Sequence, residues 1–119
     1  MITNMTRFAI VAVTLFMWAC PPSPIHPMAI RHSGLCSEYA QKGNLEQAEQ
    51  NARIAIEYSP KYAEPYLCLG IIRFRQARKD DARKQFKEAL ARNNDFVEAH
   101  NALGALMMDD GDPRGAASQ

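Results

Sequence analysis

The sequence predicts an all-α fold of antiparallel helix–turn–helix repeats. Three observations predict it: self-similarity at a fixed period, small residues at helical spacing, and turn signals between them. Leu35, Leu69 and Leu103 stand 34 residues apart, as do Ala48, Ala82 and Ala116. The same interval separates Ala55 from Ala89 and Tyr62 from Phe96, while Cys36, Gly70 and Gly104 place a small residue after each leucine. A period of that length is the mark of a repeat architecture in which each unit is one helical hairpin.

Each element follows from its residues. Leu35, Cys36 and Tyr39 share one helical face, as do Tyr66, Leu69 and Gly70. Ala48, Ala52 and Ala55 give the next helix a narrow, smooth stripe, which lets two helices approach closely. Gly43-Asn44 breaks the first pair because both residues tolerate positive φ, and Pro60 stops the second helix of that unit. Helices are therefore expected at 29–41, 45–58, 63–76, 79–92 and 97–110, with an N-cap and first-turn proline at Asp112-Pro113. Only a stub follows from 113, so the third unit lacks its second helix. The expectation is that the sequence continues past Gln119 or that its open end docks onto something.

These residues resemble the tetratricopeptide-repeat family. The first unit (29–62) reads His32, Leu35, Cys36, Tyr39, then Ala48, Ala52, Ala55 and Pro60. The second (63–96) reads Tyr66, Leu69, Gly70, then Ala82, Phe86 and Ala89, with Asn94 at the place of the closing proline. The third (97–119) reads His100, Leu103, Gly104 and Ala116, and Arg73 and Met107 stand at the places matching Tyr39. The resemblance implies a short right-handed superhelical solenoid whose first helices line a concave groove for peptides. It implies a groove of Ser33 and Ser37, then Leu67, Ile71 and Phe74, then Asn101, Ala105 and Met108. That lining is apolar through the middle and suits an apolar or amphipathic segment of a protein partner. The family's chaperone-type members read a carboxylate with Lys, Asn and Arg, but here Ser33, Ser37, Leu67, Glu98 and Asn101 occupy those places. A two-carboxylate clamp is not expected.

The N-terminus reads differently. Phe8 to Ala19 is apolar apart from Thr14 and follows Arg7. Twelve residues of helix reach about 18 Å, short of a bilayer core of about 30 Å, so the segment suits a secretory signal. It closes at Cys20 and resembles the lipobox of bacterial lipoproteins, although Met17 and Trp18 replace the family's usual leucine and small residue. That resemblance implies a signal peptide over 1–20, acylation of Cys20, and an outer-membrane address facing the periplasm. The alternatives are ordinary signal cleavage nearby, an uncleaved anchor, or a misplaced start, the last of which would leave a cytoplasmic adaptor. Four prolines between Pro21 and Pro27 predict an extended linker over 21–28. A lipobox ahead of such repeats is similar to the lipoproteins that assist type IV pilus assembly.

Composition narrows the rest. Beyond residue 30 the chain carries 13 basic and 13 acidic side chains, a balance poorly suited to nucleic acid. The basic run from Arg73 to Lys87 reads as a solvated face, with an anionic partner or lipid headgroups as the alternative. His32 and His100 are expected to pack, and His26, His32 and His100 lack metal-ligand spacing. Cys36 and Cys68 are expected to be buried and unpaired, a bridge requiring Cα atoms within about 7 Å. No phosphate loop, nucleophile elbow or catalytic carboxylate pair is present, so neither a cofactor nor an enzymatic activity is expected.

Overall fold

The computed structural model describes residues 23–111. Cys20, Ala116 and the signal-peptide reading lie outside the described residues. Five helices follow one another: α1 (Pro27–Gln41), α2 (Leu45–Tyr58), α3 (Glu64–Arg75), α4 (Lys79–Arg92) and α5 (Val97–Asp109). Their ends match the sequence expectation to within a residue, except that α1 begins two residues early. Pro27 and Met28, expected in the linker, are helical because proline at the first helical position forfeits no intrahelical bond. The His26 ring Nδ1 accepts the Met28 N–H at 3.1 Å and caps the helix.

Each first helix turns into its partner by the same device. Gly43, Ala77 and Gly111 all adopt positive φ, at 80°, 59° and 78°, and they stand one repeat apart. In the first turn the Gly43 N–H donates to the Ala40 carbonyl and the Asn44 N–H to that of Tyr39. In the second, the Ala77 N–H reaches Phe74 and the Arg78 N–H reaches Arg73, completing the same left-handed helix stop. Alanine bears a Cβ penalty at this position that glycine does not.

The helix α3 touches all four of the others. It buries Pro65, Tyr66, Cys68, Leu69, Gly70 and Ile72, so little of its surface is free. The expected small stripes form the close contacts: Ala48, Ala52, Ala55, Ala82 and Ala89 are all fully buried. Leu69 and Leu103 are buried as expected, whereas Leu35 is only half-buried, with no described helix stacked before α1. Tyr39 packs against the first cluster and Phe86 against Leu103 and Leu106 in the third; Gly104 is half-buried.

Two successive units solve one packing problem in opposite ways. In the second, Phe86 fills the space over Gly70, where an added Cβ would lie 2.3 Å from the ring. In the first, the equivalent places hold Ala52 and Cys36, so a small residue opposite leaves room for a side chain. That side chain is used. Cys36 and Cys68 form a disulfide between α1 and α3, which corrects the expectation of unpaired thiols. Stacking of the two first helices brings their Cα atoms to 6.4 Å, inside the bridging range.

Two stability changes follow. Gly70→Ala is expected to cost about 1–3 kcal/mol, read as a lower urea midpoint, because the buried Phe86 ring has nowhere to go. Ala77→Gly is expected to add about 0.5–1 kcal/mol in the same measurement, by relieving the left-handed strain.

Candidate functional site

The first helices α1, α3 and α5 present their free faces along one side of the stack. On α3, Leu67, Ile71 and Phe74 recur at four and three residues and so share a face. Leu67 is half-buried against the second and third clusters, while Ile71 and Phe74 are 36% and 45% exposed. On α5 the matching residues Asn101, Ala105 and Met108 are all exposed. On α1, Ser37 is exposed, but Ser33 is 5% exposed and offers no hydroxyl to a ligand. This corrects its expected place in the groove: Ser33 sits one turn from Ala29 and Cys36 on the packed face.

Three of the expected residues meet around one pocket. Ile71, Phe74 and Ala105 line a cavity of about 240 Å³ together with Arg75, Phe86, Ala102 and Leu106. The walls are almost wholly carbon. It exists because Ala102 and Ala105 are short where α5 faces α3, leaving the Phe86 ring as part of the lining. Leu67, Asn101, Met108 and Ser37 stay outside this pocket and flank it or lie farther along the stack. Arg75, absent from the sequence expectation, is fixed at the rim by donating from Nη1 to the Ala40 carbonyl. Nothing in the sequence pattern marks this basic side chain as reaching from α3 back to α1.

Around the groove, charge is mostly spent internally. Arg73, at the place of Tyr39, forms a forked pair with Glu49 of α2, both bonds 2.8 Å. Hydrogen bonding from Arg73 first, helped by Arg53, lowers the Glu49 carboxyl to about 2 despite partial burial. Arg78 pairs with Asp81 at 2.7 Å, and Arg83 with Asp80 at 2.8 Å. Lys79 and Arg83 also reach Asp109 and Asp110 at the end of α5. Within the basic run, Arg75, Lys84 and Lys87 form no ion pair among the described residues, and Arg75 bonds a backbone carbonyl instead.

A second cleft, about 560 Å³, opens where the linker meets the α2–α3 loop, between Pro24, Ile25, His26, Tyr58, Tyr62 and Arg92. Here the His26 ring stacks on Tyr58 at 4.8 Å, and the His26 backbone N–H donates to the Ser59 hydroxyl at 2.8 Å. These contacts fix where the proline segment leaves the domain. Arg92 stacks 3.7 Å over the Tyr66 ring and donates to the Pro60 carbonyl, tying α4 to the same loop. His32 bonds Asn51 at 2.8 Å and His100 the Asn94 carbonyl at 2.7 Å, so both serve packing.

The architecture is a tetratricopeptide-type solenoid of helical hairpins. Solved structures of similar fold include the following two. The chain is similar to MamA (TM-score 0.67, 20% identity), covering 76% of this chain and 53% of that one. It is also similar to the second tetratricopeptide domain of Spaghetti (RPAP3) bound to the HSP90 peptide SRMEEVD. There the TM-score is 0.68 and identity 15%, over 77% of this chain and 85% of that one. The chain thus spans about half the length of MamA. No protein-family profile and no curated protein matches.

The Glu49–Arg73 pair makes a pH prediction. Its folded carboxyl lies below the unfolded range of about 4.3, so the pair stabilises above that pH. That contribution is lost as pH falls through about 2. Glu49→Gln is expected to destabilise by about 2–3 kcal/mol at pH 7, with the difference from the native chain shrinking toward pH 2 in urea titrations.

Proposed function

We propose that this chain is a protein-binding module without enzymatic activity, tethered to a bacterial envelope membrane by acylation of Cys20. It holds an apolar or amphipathic segment of a partner in the groove of α3 and α5. Its setting is the assembly of an envelope complex such as a type IV pilus, at the outer membrane facing the periplasm. The observation that carries the binding role is the carbon-walled pocket between Ile71, Phe74 and Ala105. Buried apolar anchors in such pockets supply much of the affinity of protein interfaces. That a solved neighbour of this fold holds a peptide supports the same use here.

The Cys36–Cys68 bridge supports an extracytoplasmic site, since disulfides persist in oxidising compartments and rarely in the cytosol. It weighs against the soluble cytoplasmic adaptor. The extended linker would carry the domain clear of lipid, because each polyproline residue adds about 3.1 Å. His26, with φ −65° and ψ 133°, already has that conformation where it joins α1.

Two experiments test the halves separately. Growth with radioactive palmitate is expected to label the native chain and not Cys20→Ser; an unlabelled native chain rejects the tether. A photo-crosslinking amino acid at Phe74 is expected to give a discrete adduct in cells, lost with Ile71→Asp. An identical adduct from a probe at the exposed Glu57 on α2 would remove the groove from the account.

A further inference from the structure

The groove has an acidic end, two turns from the pocket that Arg75 borders. Glu64, Leu67, Ile71 and Phe74 on α3 are spaced three, four and three residues, and Glu98, Asn101, Ala105 and Met108 repeat that stripe on α5. Both glutamates stand in the first turn of their helices, at equivalent places of adjacent units. Both are exposed, and neither takes part in an ion pair or side-chain hydrogen bond among the described residues. The first-turn acids of α4 behave otherwise, being paired with Arg78 and Arg83. Partial loss of water first, then the nearby Glu98 charge, raises the Glu64 carboxyl from its ordinary value.

Helix macrodipoles favour acids at these positions, but that benefit needs no partner and each helix gains it alone. What the dipole does not explain is the line from this pair to the pocket. From Glu64 to Ile71 is seven residues, about 10 Å along the helix. An apolar hole and a doubled negative charge therefore lie two helical turns apart on one open face.

We propose that the groove selects a segment carrying a bulky apolar side chain and, about 10 Å away, a cationic group placed between Glu64 and Glu98. The cation is a lysine, an arginine or a free amino terminus of the partner. The apolar side chain enters between Ile71, Phe74 and Ala105, while charge sets orientation and partner choice. This rests on the groove being the binding surface, and it specifies the occupant's charge. The expected ligand is opposite in sign to the acidic peptide held by the RPAP3 domain.

The test uses the full chain in phosphatidylcholine nanodiscs and two fluorescein-labelled helical peptides, with binding to empty discs subtracted. One peptide carries a central leucine with lysine seven residues to either side; the other has glutamate in place of both lysines. The lysine peptide is expected to bind about tenfold more tightly at low salt, with the ratio falling at high ionic strength. Glu64→Gln with Glu98→Gln is expected to reduce the ratio to within about twofold while leaving helicity by circular dichroism unchanged. Phe74→Ser is expected to weaken both peptides. Equal binding of the two peptides, or a preference that survives the double variant, overturns the charge selection and leaves the groove reading intact. Binding of neither peptide overturns both.

Discussion

The close approach of α3 to its neighbours is the constraint on which the rest depends. One helix contacts all four others, burying Pro65, Tyr66, Cys68, Leu69, Gly70 and Ile72 as it does so. Gly70 has no side chain where the Phe86 ring lies, and Ile72 is fully buried on the face toward α2. If α3 were held farther out, the first helices could not lie side by side. The groove is the outer face of that same arrangement, so packing and groove are set by one spacing.

A short stack has few interfaces to share the load, because solenoid stability is close to a sum over neighbouring units. Two features of this chain bear on that sum. The bridge from Cys36 to Cys68 closes a loop spanning 32 residues. In the chain-entropy account such a closure stabilises by roughly 3–4 kcal/mol, a large share of a small domain's total. The Glu49–Arg73 fork supplies a second fastening between α2 and α3, at a place where the other first helices carry Tyr39 and Met107. The bridge thus fastens α3 to α1, and the fork fastens it to α2.

The helices were legible because period, turn residues and small stripes all gave the same register. The left-handed turn at Ala77 was legible in principle, since it stands one repeat from both Gly43 and Gly111, but alanine is no turn signal by itself. The disulfide was not. Cys36 and Cys68 sit at different places in their units, and only the actual offset between α1 and α3 brings them together. For the groove, the family resemblance named Ile71, Phe74 and Ala105, and these three do line one pocket. It misplaced Ser33, whose small polar side chain gives no hint of which face it takes. It also missed Ala102 and Leu106, because a cavity is made by what neighbouring side chains fail to fill.

A stacked pair of first helices, fastened and bare on its outer face, is a rigid surface that exposes apolar groups without unfolding. A surface already ordered in this way loses little conformational freedom when something is laid on it. The most direct measurement of that arrangement is non-reducing peptide mapping of the Cys20→Ser chain, folded and oxidised in dilute solution. Side-by-side stacking predicts one intramolecular cross-link, joining the peptide with Cys36 to that with Cys68, in nearly every molecule. Free thiols in the oxidised, folded monomer, or pairing only between chains, would contradict it.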